Sequence, residues 1–145
     1  MDNGEKPRVY VTRRLHFNAA HRMFNPAWTD EKNAEVFGLC NNPNWHGHNY
    51  ELEVTVVGTP DPETGYVFDL SKLKRIVETR VLDKTDHKNL NMDVDFMRGI
   101  IPSSENFAVA IWNELKGAVS PATLHLIRLY ETPRNFVEYR GETSA

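Results

Sequence analysis

From Val9 to Phe17, β-forming and polar residues mix as in a strand, with Val9, Val11, Leu15 and Phe17 on one parity. A stricter alternation runs from His46 to Val57. His46, His48, Tyr50, Leu52, Val54 and Val56 share one face, and Asn49, Glu51, Glu53 and Thr55 take the other. The segment Gly58-Thr-Pro-Asp-Pro-Glu-Thr-Gly65 is dense in turn residues. Beyond it the period changes. Asp69 is placed to cap a helix whose apolar positions Leu70, Leu73, Ile76, Val77 and Val81 fall on one stripe. A polar loop, Asp83 to Asp95, follows. Pro102-Ser-Ser-Glu-Asn then opens a second helix that buries Phe107, Ala108, Ile111, Trp112 and Leu115, with Gly117 placed to end it. Leu124 to Glu131 and Phe136 to Tyr139 read as strands joined by the tight turn Thr132-Pro-Arg-Asn. Residues 22–45 read as a long loop with a short helical patch, Asp30 to Phe37. The order ββααββ predicts an α+β domain: a four-stranded antiparallel sheet with two helices on one face.

A chain of 145 residues is expected to form one domain, 1–145, with residues 1–7 as a flexible tail. The longest apolar runs are a few residues, too short for a membrane helix, and the mixed charges of MDNGEKPRVY do not make a signal peptide. A net charge of −3, without a basic cluster, leaves no electrostatic footprint for nucleic acid. The single cysteine excludes an intrachain disulfide, which fits a cytoplasmic location, and it excludes a multi-cysteine zinc knot. Any metal must then be held mostly by His, Asp or Glu.

That cysteine opens the stretch Cys40-Asn-Asn-Pro-Asn-Trp-His-Gly-His48. Residues two apart on a strand point the same way, about 6.6 Å apart, so His46 and His48 present both imidazoles on the apolar face. Gly47 between them permits close approach to the backbone. Two histidines hold zinc poorly. His21 shares parity with Leu15 and Phe17 and would face the pair if the first strand continues that far in antiparallel pairing. Three neutral imidazoles with a fourth position open describe a catalytic zinc site. An H-x-H pair alone is a weak signal, and packed or surface histidines are the commoner case. His16 falls on the opposite parity and His125 stands alone in a late strand, so both read as structural. Cys40 is either a small buried hydrophobe or, in its turn, a thiol lowered toward thiolate by a nearby cation. Asp86-His87 is either a helix-terminating turn or a loop pair in which the carboxylate orients a histidine or polarises the thiol. Glu131, in Leu-Tyr-Glu-Thr, has a solvated strand end as its default explanation.

Taken together the motifs resemble a known family. Phe17-Asn-Ala-Ala-His21-Arg22, Cys40-Asn-Asn-Pro-Asn-Trp-His46-Gly-His48-Asn-Tyr, Leu82-Asp-Lys-Thr-Asp86-His87-Lys-Asn-Leu, Ser104-Glu105-Asn106 and Tyr130-Glu131-Thr132 occur in the order of the 6-pyruvoyl-tetrahydropterin synthase family. The resemblance spans about Arg13 to about Glu142. It implies the tunnelling fold, in which three subunits join their sheets into a β-barrel and two trimers stack as a homohexamer. It implies zinc on His21, His46 and His48, Cys40 as base, and Asp86 with His87 as a supporting catalytic pair. It places Glu131 at a pterin ring, where a carboxylate accepts two hydrogen bonds. Glu105, Ser103 and Ser104 look like part of the same pocket. The implied substrate is 7,8-dihydroneopterin triphosphate, and the implied reaction is a lyase reaction eliminating triphosphate. The sister reading is 6-carboxy-tetrahydropterin synthase of queuosine biosynthesis, with the same substrate but release of acetaldehyde. A non-catalytic zinc or pterin-binding module is a third. Two departures stand out: Trp45 occupies a position where close relatives usually carry a small residue, and Ser103-Ser104 replaces a threonine-rich segment.

Overall fold

The computed structural model describes residues 4–144, so residues 1–3 of the expected tail and residue 145 lie outside the described residues. Strand β1 (Val9–His21) is followed by helix α1 (Asp30–Phe37) and a 3-10 turn at Gly38–Asn41. Strand β2 (His46–Gly58) leads to α2 (Leu70–Val77), a π-helical turn (Glu78–Leu82) and the one-turn α3 (Asp83–Thr85). Then come the two-residue β3 (Lys88–Asn89), α4 (Ser104–Leu115), β4 (Thr123–Thr132) and β5 (Asn135–Tyr139).

The caps explain the helix starts. Asp69 accepts hydrogen bonds from the backbone N–H groups of Ser71 and Lys72, and Ser103 accepts from Asn106. α4 stops at Leu115, and Gly117 follows in the left-handed conformation, as the sequence predicts. α1 has the predicted bounds, capped by the Thr29 side chain.

The sheet order is β3-β1-β2-β4-β5. β1, β2, β4 and β5 are the four expected antiparallel strands, and the turn after Thr132 is closed by its hydroxyl accepting from Arg134 and Asn135. The expected polar loop Asp83 to Asp95 holds more structure than its composition predicts. The helix runs on through a π turn to Thr85, and Lys88–Asn89 adds a short parallel strand beside Ala19–Ala20, making a mixed five-stranded sheet. A two-residue strand carries no period, which is why the pattern misses it.

Alternation decides the layers. Leu15, Phe17 and Ala19 of β1, Tyr50, Leu52, Val54 and Val56 of β2, and Ile127 and Leu129 of β4 are buried against the helices. Leu73, Val77 and Val81 descend from the α2 side, and Phe107, Ala108, Ile111 and Leu115 from α4. Trp112 lies at the margin of this core, half-buried and edge-on to Tyr139 at 5.4 Å. A Cβ at Gly141, which has φ +75°, would come within 2.5 Å of the Trp112 ring, so only glycine fits there.

The opposite face carries a row of directly paired residues, one per strand: Arg14, Glu53, Arg128, Glu138. Arg14 Nε donates to Glu53 at 3.0 Å, Arg128 Nη1 to Glu53 at 3.1 Å and Arg128 Nη2 to Glu138 at 2.7 Å. Only 9% of the Glu53 side chain is exposed, and the two guanidinium groups supply its hydrogen-bond partners. Glu53→Ala should cost about 1–3 kcal/mol, because it removes the acceptor shared by both arginines and leaves them only Glu51 and Glu138. Glu51→Ala, at a side chain 40% exposed, should cost less than about 1 kcal/mol. Urea unfolding of the two variants compares them, and equal losses would show that Glu53 contributes no more than an exposed ion pair.

Candidate metal centre and active site

Three histidines meet at one end of the β1–β2 pair. β1 keeps its pleat to its last residue, so His21 stands opposite His46 in the antiparallel register, with His48 two residues along. Their ring centroids lie 4.5–5.0 Å apart, and one nitrogen from each falls within 4.8 Å of the others. His21 is 1% exposed, while His46 and His48 are half-buried.

One hydrogen bond sets the tautomer of His21. Its Nδ1 lies 2.8 Å from the carbonyl of Pro102. A carbonyl only accepts, so Nδ1 carries the proton and Nε2 presents a lone pair to the cluster. That Nε2, both ring nitrogens of His46 and Nε2 of His48 are buried without hydrogen-bond partners. Unpartnered imidazole nitrogens gathered in this way fit a cation that takes nitrogen ligands.

Electrostatics agree. Burial pushes His21 below the usual histidine range, opposed by the Pro102 carbonyl and reinforced by His46 and His48. His46 is lowered by burial and by His48. Both are therefore held neutral, the state that binds metal.

The approach to β2 is bent to deliver this pair. Asn42 closes a turn through its side chain to the Asn44 N–H and its carbonyl to the Trp45 N–H. Trp45 then adopts φ 69°, a left-handed conformation that is costly for a bulky residue, immediately before His46. Its ring lines a cleft with Arg22, Phe24 and Pro102 beside the histidines.

Glu131 and Ser104 complete the buried side. Glu131 Oε1 lies 3.6 Å from His48 Nε2, and its Oε2 accepts a 2.7 Å hydrogen bond from the buried Ser104 hydroxyl. Ser103 uses its hydroxyl as the α4 cap, and Glu105 is exposed in the first turn.

The profile of the family described as 6-pyruvoyl tetrahydropterin synthase matches residues 10–142. The chain belongs to the 6-pyruvoyl tetrahydropterin synthase family. It is 43% identical over 139 residues to the 6-pyruvoyl tetrahydrobiopterin synthase of Homo sapiens, covering 96% of each chain. To the protein of that name from Poecilia reticulata it is 45% identical over 133 residues, covering 92% of this chain and 90% of that one. The structure of Caenorhabditis elegans 6-pyruvoyl tetrahydropterin synthase is similar with a TM-score of 0.89 at 42% identity, covering 94% of this chain and 98% of that chain.

The other residues marked by likeness to the 6-pyruvoyl tetrahydropterin synthase family are more dispersed. Cys40 is exposed on the 3-10 turn, which is stitched to the residues after His21. Met23 N–H donates to the Cys40 carbonyl at 2.8 Å, and Arg22 Nε donates to Asn41 at 2.9 Å. Asp86 and His87 form a pair, His87 Nδ1 to Asp86 Oδ1 at 2.9 Å. Their bonds run to the Asn18 backbone on the outer edge of β1. His87 has φ 60° and a side chain 76% exposed, beside a cavity of about 520 Å³ that Asn18, Gly47, Asn49 and Lys88 also line. Neither Cys40 nor the Asp86–His87 pair joins the histidine cluster among the described residues. His125 packs edge-on to Tyr10, away from the site.

Two participants escape sequence reading. The Pro102 carbonyl is a backbone group with no signal in residue type. Tyr50 shares the face of His48 but looks like core; it is 1% exposed, its hydroxyl has no partner, and burial with Glu131 nearby holds the phenol well above its usual range.

The lowered histidines make a pH prediction for metal-free protein. In the unfolded chain His21 and His46 take up protons below about pH 6.5, whereas the folded site resists protonation. Stability is therefore full above that pH and falls as pH drops through it. Urea midpoints should fall from pH 7.5 to pH 5.5, and by less in His21→Gln. An equal fall in both proteins would clear His21 of any part in it.

Proposed function

We propose that this chain is a zinc-dependent lyase that converts 7,8-dihydroneopterin triphosphate to 6-pyruvoyl-tetrahydropterin with loss of triphosphate. The observation carrying this reading is the cluster of unpartnered histidine nitrogens at His21, His46 and His48 in a chain of this family. These three residues would hold the metal, which supplies Lewis acidity toward the hydroxyls of the substrate side chain and so acidifies the neighbouring C–H bonds. Cys40 takes the proton from carbon as thiolate. The electron pair left behind expels triphosphate as the C–O bond breaks, and proton shifts along the side chain leave two ketones and a reduced pterin ring. No net oxidant is consumed, so no nicotinamide or flavin is required. Asp86 orients His87 for these proton shifts.

Recognition belongs to the other wall. Glu131 accepts hydrogen bonds from the ring amide N–H and amino group of the pterin, Ser104 steadies that carboxylate, and Glu105 and Ser103 stand at the rim. We place the enzyme in the cytoplasm as a hexamer of two stacked trimers, with active sites between subunits. Two features support this assembly. Asp86 and His87 cover the β1 backbone at Asn18 and leave their own side chains exposed beside that strand, where another copy would meet them. The charged row runs from Arg14 on β1 to Glu138 on β5, complementary signs.

Mass spectrometry of the products from dihydroneopterin triphosphate tests the reaction. Release of acetaldehyde with a 6-carboxy pterin would transfer the chain to the sister activity, and no turnover would leave a binding module. Cys40→Ala should keep its zinc by elemental analysis and lose at least about 10²–10⁴-fold in turnover, while His48→Ala loses the metal. Zinc loss in Cys40→Ala would make the thiol a ligand instead.

Glu131→Gln puts a donor where the pterin presents donors. It should weaken binding of a non-reactive pterin by about 1.5–3 kcal/mol in calorimetric titration, with zinc intact. Unchanged affinity would leave Glu131 only a partner of Ser104 and pass the role to Glu105.

A further inference from the structure

Among the described residues, buried side-chain atoms without hydrogen-bond partners lie on only five residues: the three histidines, Asn41 and Tyr50. Elsewhere the buried polar groups are served. Thr85 donates to the Val81 carbonyl, Ser104 to Glu131, Asn33 to two carbonyls, and Glu53 accepts from two arginines. The Tyr50 hydroxyl is thus an exception in a fold that otherwise pairs what it buries, and it lies with the site.

Its ring has no freedom to search for a partner. It stacks on Phe17 at 5.2 Å and 12°, and stands perpendicular to Phe107 at 5.5 Å. Its other ring neighbours are His48 at 5.7 Å and His21 at 6.4 Å, both edge-on. Glu131 follows Tyr130, the residue paired with Glu51, and so stands across from Tyr50 on β4. The Tyr50 ring is thus bordered by the histidine cluster on one side and, across the β2–β4 pairing, by the proposed pterin anchor on the other. A phenylalanine of the same shape would fill the core without leaving a buried hydroxyl unmade.

A phenol at neutral pH is a hydrogen-bond donor. We propose that Tyr50 is a further substrate-contacting residue, whose hydroxyl donates to a side-chain oxygen of the bound pterin and fixes that side chain against the three histidines. The inference rests on the pterin reading above and assigns a role that reading does not need. Binding partners the hydroxyl, so the stability lost by burying it unpaired in the free protein returns as discrimination in favour of a hydroxylated side chain.

Calorimetric titration of zinc-loaded wild-type and Tyr50→Phe proteins tests this with two probes: neopterin, whose side chain carries hydroxyls, and 6-methylpterin, which lacks them. Tyr50→Phe should bind neopterin about 3–10-fold more weakly and 6-methylpterin with unchanged affinity. Its zinc content should match wild type, and without ligand it should unfold at the same temperature or higher. Equal loss on both probes, loss on neither, or a lower melting temperature without ligand would each overturn the proposal while the functional reading stands. A wild type that binds neither probe would overturn the functional reading, and this inference with it.

Discussion

Thirteen consecutive pairs, from Val9 with Gly58 to His21 with His46, join β1 to β2, and the chemistry hangs on the last of them. Side chains alternate faces along a strand, so a slip of one residue would turn His21 toward the open face while His46 and His48 stayed on the helix side. The apolar pattern prevents this. Leu15, Phe17 and Ala19 cannot leave the core without exposing the surface that Tyr50, Leu52 and Val54 bury with them. Packing along the middle of the hairpin therefore fixes the histidine geometry at its end.

The helices serve the same geometry from the other side. α4 begins where Ser103 caps it, which brings the Pro102 carbonyl to His21 and the Ser104 hydroxyl to Glu131 within three consecutive residues. One helix start thereby sets a histidine tautomer and the orientation of a carboxylate. The aromatic packing of Phe107 against Phe17 and Tyr50 anchors that helix to the strands bearing the histidines.

Much of this was legible in the residues. The parity of His46 and His48 with Tyr50, Leu52 and Val54 gives both the buried face of β2 and the shared direction of two imidazoles. Asp69, Ser103 and Gly117 mark helix ends because capping and left-handed backbone favour those residue types. What stayed hidden has physical reasons too. Lys88–Asn89 is a strand only because Ala19 and Ala20 lie beside it. Glu53 reads as a solvent-facing residue on the polar side of β2, yet it is buried, because Arg14 and Arg128 from neighbouring strands close over it. Cross-strand partners exist only once the register does. The orphaned hydroxyl of Tyr50 is invisible for the same reason: residue type reveals a tyrosine in a core, not whether its oxygen has found a neighbour.

The charged row on the open face has a direction: it starts with the cation Arg14 on β1 and finishes with the anion Glu138 on β5. Two copies meeting β1 against β1, or β5 against β5, would bring like charges together in the row. A two-fold symmetric contact through either edge is thus disfavoured. A β5 edge meeting the β1 edge of the next copy continues the alternation of sign, and such a heterologous contact leaves a free edge at each end until the chain of copies closes upon itself. The twist of each sheet then decides between a ring and an open filament. Four residues that look like surface decoration in one chain thereby favour head-to-tail joining over two-fold pairing for any copies that meet through their sheet edges.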